Sequence, residues 1–479
     1  KIEFDRARNA AAHRILPIAV VLFVFSVSAQ KPVGERHLSR PLPESWSGDS
    51  LFVQQLPVTG RWWLSLDDSL LDSLITVSFV NSPDLKTVFY RVRASHAALR
   101  MKQSGYYPSL GASFGWNKTQ TSGRVSDSYT PTREQYFSGA LTTSWELDLF
   151  GSTYLRVRSQ KAQYQVSIES YNAALVSLAA QVSSAYAQLR MFQQQVIVAR
   201  RNIDSQKSIL DMTEVRYETG LASQLDVAQA RSVYYSTLAT IPSLEASVVV
   251  QINLLALLVG THPQALMSVL EKERPIPDYR TIVPVGVPAN LLRQRPDIRA
   301  AEQSVVSAAA LVGASRSDYM PHLVLTGSIG FASKKMDTFF DHRSLTYSIV
   351  PTLSWTLFQG RQYTQATRQA KAEWRASIEQ YNLAVLTAVQ EVDNAMVNYK
   401  GAVKQLNVLY DLVEQGKITL NLSLDLYKRG LSTFQNVLDA QRSLLDYQNG
   451  LVSAQGAALS AVIDLYRALG GGWDNGSSE

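Results

Sequence analysis

Apolar residues recur along this 479-residue chain with two periods, and the two alternate in a fixed order. Tyr164, Ile168, Tyr171, Leu175, Leu178, Val182, Ala185 and Leu189 step by three and four, and the rhythm runs on through Leu210 to Tyr217. It returns from Trp374 through Ile378, Tyr381, Val385, Ala388, Val392, Leu406, Val413 and Leu420 to Tyr427. A seven-residue period sustained this long predicts helices in coiled-coil contact, each near 100 Å at about 1.5 Å per residue. Ahead of each helix the period shortens to two. Leu110, Ala112, Phe114 and Trp116 alternate with small or polar residues, and so do Phe137, Leu141, Thr143, Trp145 and Leu147 beyond a polar loop from Lys118 to Glu134. In the second half Leu323, Leu325, Ile329 and Phe331 alternate, followed by Tyr347, Ile349, Leu353, Trp355 and Leu357. These are four strands in two hairpins. Their apolar faces end in aromatics, as lipid-facing strands do, with Trp116, Trp145 and Trp355 as candidate membrane-interface residues; the edge of a soluble sandwich is the competing reading.

The order strand pair, long helix, glycine, returning helix occurs twice because the chain is duplicated. Pro83-Asp84-Leu85 recurs as Pro296-Asp297-Ile298 and Pro108 as Pro321, an offset of 213; Ser144-Trp145 recurs as Ser354-Trp355 and Gly220-Leu221 as Gly430-Leu431, an offset of 210. The fold class that follows is α+β, a repeated unit of long coiled-coil helices plus a β-hairpin. The first repeat spans 61–260, with two helices on either side of Pro83, a hairpin at 108–150 and a helical hairpin at 151–260. The second spans 291–473, with its hairpin at 321–358 and helical hairpin at 360–470. A crossover at 261–290 carries five prolines and a tail covers 474–479. Each long helix stops at a glycine suited to a left-handed C-cap, Gly220 or Gly430. Ser223 with Asp226, and Ser432 with Gln435, are spaced as capping boxes for the returning helices.

At the N-terminus Arg6, Arg8 and Arg14 precede an apolar run, Ile15 to Val27, followed by Val27-Ser28-Ala29. This reads as an export signal over 1–29, cleaved to leave Gln30, with an extended arm at 30–60. Elsewhere no apolar run is long enough to span a bilayer as a helix, Val248 to Val259 being the nearest, so a membrane crossing has to be made by strands. The net charge of +6 falls to +4 without the first 29 residues and no basic cluster interleaves with aromatics, which argues against a nucleic-acid partner. There is no cysteine, which removes thiol chemistry and any lipid-accepting cysteine. The six histidines are scattered and no phosphate-binding or nucleophile motif appears, so neither metal, cofactor nor enzyme activity is expected. Carboxylates near the helical hairpins, Asp226, Asp425 and Asp439, read as caps or as a charge ring at a pore mouth.

Four strands are too few to close a barrel, and lipid cannot satisfy their open edges, so the strands require an oligomer; two copies or three would serve. At this point specific motifs resemble a known family. The runs VGVPANLLRQRPDI at 285–298, LDAQRSL at 438–444 and ALGGGW at 468–473 are similar to those of the TolC-like outer membrane factors, most closely the NodT-type branch serving RND efflux pumps. The resemblance covers roughly residues 60 to 473. It implies a homotrimer: a 12-stranded outer-membrane β-barrel in lipid, continuous with a 12-helix periplasmic α-barrel. It also implies a Gram-negative outer-membrane exit duct, passively conducting drugs or other small molecules and docked to a periplasmic adaptor and an inner-membrane RND pump. Adaptor docking then falls to the helical tips, Arg216, Gly220 and Leu221 with Arg429, Gly430 and Leu431. Relatives often carry an aspartate just after the second tip glycine as part of a closed gate, and this chain has none in Leu431-Ser432-Thr433-Phe434-Gln435-Asn436. Asp425, Leu431 and Phe434 are the candidates to close it here. The competing functions are the outer-membrane channel of a type I protein-secretion exporter and a periplasmic coiled-coil scaffold. The scaffold leaves the aromatic-ended strands unexplained.

Overall fold

The computed structural model describes residues 60–124, 130–277 and 294–473. The expected signal, nearly all of the arm, part of the crossover and the tail lie outside these residues. Helix α1 (Ser69–Asn81) starts where the Asp68 carboxylate accepts from the amides of Leu70 and Leu71, and α2 (Pro83–Gln103) starts at a proline, whose missing N–H costs nothing in the first turn. The chain then forms β1 (Ser109–Thr121), β2 (Thr132–Leu147), α3 (Ser152–Glu218), α4 (Gln224–Leu238), α5 (Ile241–Val259) and α6 (Pro263–Leu270). The second repeat supplies α7 (Pro296–Ser317), β3 (His322–Ser333), β4 (Leu345–Ser354), α8 (Gln362–Lys428) and α9 (Phe434–Ala468). Helices α3 and α8 are 67 residues each, about 100 Å of helix.

Several expectations need correction. The polar loop between β1 and β2 is shorter than Lys118–Glu134, because the ladder continues to Thr121 opposite Thr132. Strand β4 ends at Ser354, so Trp355 and Leu357 fall outside it: the partner strand begins at His322, and Pro321 before it has no N–H to extend the ladder. The first returning helix is two helices, interrupted at Ala239–Thr240 ahead of Pro242, whereas α9 is unbroken over 35 residues. By length and composition alone, the segment Gln224–Val259 is apolar enough to cross a membrane, but α5 buries Ile252, Leu255, Ala256 and Val259 in the protein core. The crossover contains a helix, α6. Ser223 and Asp226 form the expected capping box, but the second hairpin does not repeat it. The offset of 210 places Thr433, not Ser432, opposite Ser223, and Asn436 opposite Asp226. Thr433 makes no side-chain cap, and the Asn436 carboxamide donates to Ser432 Oγ at 2.8 Å.

The four strands form one antiparallel sheet in the order β1-β2-β3-β4. Register fixes its faces. On one side Leu110, Ala112, Phe114 and Trp116 adjoin Thr143, Leu141, Gly139 and Phe137, and the rows continue through Gly327, Ile329 and Phe331 to Ile349, Tyr347 and Leu345. The other side presents Gly111, Ser113, Gly115, Thr142, Ala140, Ser138, Ser328, Gly330, Ala332 and Ser348, all small or hydroxylated.

Two cores hold the helices. The larger joins Trp62, Trp63, Leu71 and Ile75 with the middle of α3, α5, α7, the middle of α8 and the end of α9. There Trp62 stacks on Tyr466 at 4.9 Å, and the Tyr186 hydroxyl donates to Asp68 at 2.6 Å. Burial and that hydrogen bond push the Tyr186 phenol up to about 12. Arg190 lies fully buried on the next turn, donating to Tyr186 Oη, Gln193 Oε1 and the Lys272 carbonyl, so its charge is spread over three acceptors. Arg295 plays a similar part in the second repeat, donating to the Ala468 carbonyl and pairing with Asp297 and Glu391. The smaller core sits near the tips of α3, α4, α8 and α9.

One position tests the sheet directly. A Cβ added at Gly330 would run into the Gly139 carbonyl and the Ala140 backbone of the neighbouring strand. Gly330→Val is therefore expected to separate β2 from β3, read as faster hydrogen exchange at the amides of these two strands, while helical circular dichroism persists.

Candidate functional site

The two tips are built alike. Helix α3 closes with Gly220 in the left-handed region at φ +71°, its amide donating to Tyr217, while the amide of Leu221 reaches back to the Arg216 carbonyl at 2.8 Å. Helix α8 closes with Gly430 at φ +72°, bonded to Tyr427, and Leu431 bonded to Leu426 at 2.9 Å. This 6→1 closure satisfies the last carbonyls and turns the following side chain outward. Leu221 is 66% exposed and Leu431 is 72% exposed. Leu225, which sequence reasoning missed, is exposed beside them.

The remaining expected tip residues divide into two groups. Arg429 is at the surface in an i,i+4 pair with Asp425 at 3.0 Å, both well solvated, so the pair stabilises little. Arg216 is half-buried and crosses to the other tip: its guanidinium lies 4.9 Å from the Tyr427 ring centroid, and its Nη1 donates to the Lys428 carbonyl at 3.0 Å. Phe434 does not present itself for closing a mouth. It is 2% exposed, its ring 5.1 Å from that of buried Tyr427, because as the first residue of α9 it falls on the stripe facing α8. Of the gate candidates, Asp425 and Leu431 stay accessible. The Tyr427 phenol is pushed up by burial and by Asp226, against the pull of Arg216. Tyr427 and Arg216 thus tie the repeats together at their ends, a role the sequence masked by placing Tyr427 in a coiled-coil stripe.

At the opposite end, Trp116 shares the outermost apolar row with Phe137, and Trp145 sits near the helical end of the same face, beside Leu325. Trp355 lies just past β4, donating from Nε1 to the Tyr319 carbonyl at 3.0 Å. Between these ends the molecule offers shallow clefts. Among the described residues no group of three or more histidine or carboxylate side chains is placed to hold a metal ion.

A long helical body, a sheet with one apolar face and paired helical tips describe a conduit, and known proteins share them. The model of the outer membrane efflux protein family matches residues 74–261 and 287–471, one stretch in each repeat. The chain belongs to the outer membrane efflux protein family. It is 30% identical over 425 residues to the toluene efflux pump outer membrane protein TtgF of Pseudomonas putida, covering 88% of this chain and 87% of that one. It is 30% identical over 422 residues to the pyoverdine export outer membrane protein OpmQ of Pseudomonas aeruginosa, covering 87% and 88%. The solved outer-membrane channel OprN superposes with a TM-score of 0.85 at 29% identity, over 90% of this chain and 98% of that chain. This outer membrane efflux protein is accordingly a TolC-like channel of the outer membrane with a helical extension in the periplasm. The family consists of channel proteins, which work with adaptor and inner-membrane pump partners.

The cross-tip contact generates a prediction. Arg216→Ala should remove the cation–π contact and one hydrogen bond, about 1–2 kcal/mol together. Faster hydrogen exchange confined to the two tips is the expected reading, with the body of α3 and α8 unchanged.

Proposed function

We propose that three copies of this chain form the exit duct of a tripartite efflux pump, passing small organic molecules from a periplasmic adaptor and an RND pump to the exterior. The observation that carries this is the sheet. Its four strands leave β1 and β4 unpaired on their outer sides, and an open edge in lipid leaves N–H and C=O groups without partners. Three copies close twelve strands with the apolar face toward lipid and the small, hydroxylated face lining water. From the row of Trp116 and Phe137 to Trp145 is about 27 Å of strand. At a tilt of 35–45° that is roughly 20 Å of bilayer, close to the height of an apolar band between aromatic girdles. Trp116 takes the outer girdle; Trp145 and Trp355 take the periplasmic one.

The helices supply a second reason for an oligomer. Leu383, Leu386, Val397, Val408, Ile418, Leu422 and Leu426 form an apolar stripe along α8 that nothing in this protomer covers. A neighbouring copy's α3 and α4 would bury it, extending the barrel as a tube of twelve helices. Six tips then ring its far mouth, each exposing a leucine beside a glycine, which is a repeated docking feature for an adaptor. Asp425 and Leu431 are the residues to narrow that mouth. Export of toluene by TtgF and of pyoverdine by OpmQ, as their names state, supports small organic cargo over secreted protein.

Native mass spectrometry in detergent is expected to give three chains; a stable folded monomer refutes the shared barrel. Leu221→Glu with Leu431→Glu should abolish drug resistance in a strain relying on this channel, with trimer yield and membrane location normal. Unchanged resistance refutes tip docking, and resistance lost only together with trimer yield makes the leucines structural.

A further inference from the structure

The turn between β3 and β4, residues 334–344, lies at the outer end of the sheet and is folded back over it. The outward row Phe114–Gly139–Phe331 has a gap at Gly139, and Phe339 fills it. A Cβ on Gly139 would meet Phe339 Cζ at 3.0 Å; the Phe339 ring is 5.7 Å from Phe114 and 6.0 Å from Phe331, and the residue is 3% exposed. Short bonds fix the rest of the turn: Thr338 Oγ1 with Ser333 Oγ at 2.7 Å, and Ser344 Oγ donating to the Thr338 carbonyl at 2.8 Å. Held in this way, the turn leaves Phe340 75% exposed on the apolar side, its ring 5.5 Å from that of Phe331, and Met336 of the same turn is exposed as well.

Moving outward on the same face, the side chains change character in sequence. Above the row of Trp116 and Phe137 come Lys118 beside Gln135, then Gln120 beside Arg133, whose Nε donates to Gln120 Oε1 at 2.8 Å. The turn adds Lys334, Lys335 and Arg343 against two carboxylates, Asp337 and Asp341, the second occupied with His342 at 2.6 Å. Among the described residues none of the five cations makes an ion pair. Glu134 belongs to the opposite face.

We infer that this turn and the adjoining strand ends form a site for phosphorylated lipid headgroups of the outer leaflet: Phe340 and Met336 enter the outermost acyl layer while Lys118, Arg133, Lys334, Lys335 and Arg343 bind phosphate. The inference rests on the channel reading, since it needs the apolar face in lipid. Continuity with that face identifies a lipid as the occupant, and the sign of the charge identifies its headgroup. An apolar layer topped by exposed cations matches an anionic headgroup zone. The site is preorganised, because Phe339 anchors the turn before lipid arrives, so little ordering is left to be paid on binding.

The test titrates the detergent-solubilised full chain with a diphosphorylated lipid A and with its dephosphorylated form, reading bound lipid by native mass spectrometry. The diphosphorylated form should bind roughly tenfold or more tightly, given the strength of basic residues at an anionic surface. Lys334→Glu, Lys335→Glu and Arg343→Glu together should erase that preference. Phe339→Ala, which removes no charge, should weaken it by freeing the turn. An equal preference in the charge-reversed variant overturns the site. Full displacement of the lipid by millimolar inorganic phosphate also overturns it, since free phosphate would then be what is recognised. The same spectra report chain number: a wild-type protein that is not trimeric fails the channel reading as well, whereas an intact trimer with unchanged preference in the variants fails only the lipid site.

Discussion

A strand placed in lipid has to find a partner for every backbone N–H and C=O, and the rest of this molecule follows from that constraint. One chain supplies four strands and satisfies only the three inner ladders. The apolar and hydroxylated faces are already sorted, with no large side chain on the second face along its middle, where Gly111, Gly115, Ala140, Ser328 and Gly330 lie. That face leaves space for water only in a closed barrel. The sheet is therefore complete in register and incomplete in edges, and the proposed trimer rests on that difference.

The helices solve a different problem, that of remaining straight and single-registered over about 100 Å. Here the stripe carries the load with small residues: Ala179, Ala185, Ala388 and Ala395 are buried among Val182, Leu189, Val385 and Val392, which lets helices approach closely. Stability is concentrated at two places, the belt around Tyr186 and Tyr466 and the tip cluster around Tyr427 and Phe434. Both contain a cation on an aromatic ring, the fully buried Arg190 on Tyr186 at 4.7 Å and the half-buried Arg216 on Tyr427 at 4.9 Å. An apolar stripe alone tolerates a slip of one heptad; a guanidinium that must find its particular carbonyl acceptors does not.

Much of this was legible in the sequence because it rests on period and on glycine. The stripes from Tyr164 to Tyr217 and from Trp374 to Tyr427 need only the regular helix, and Gly220 and Gly430 mark where its backbone must turn left-handed. What was not legible depends on partners distant in sequence or on non-repeating chemistry. Phe434 looked like a free aromatic at a turn until Tyr427 was seen against it. Ser432 matched a capping spacing with Gln435, but the helix starts one residue later, at an N-cap Thr433 that makes no side-chain cap bond, while Ser432 Oγ accepts from the Asn436 carboxamide. Phe339 lies in a polar turn whose sequence gives no period at all, and its place is set by the gap at Gly139, about 200 residues earlier.

The departures from the duplication are as informative as the duplication. Two identical repeats would give a uniform tube with nothing to bind its middle. In this chain α9 runs unbroken, while its counterpart is split ahead of Pro242 into α4 and α5. The second part, α5, is packed by α1 and α6, and Gly260 at its end lies so close to the Asn81 carbonyl that any Cβ would collide with it. The break thus redirects α5 to where the N-terminal helix and the crossover meet α3, and Trp62 completes the belt by stacking on Tyr466 of the other repeat. Repetition makes the conduit long; its one interruption fastens the two halves around the middle.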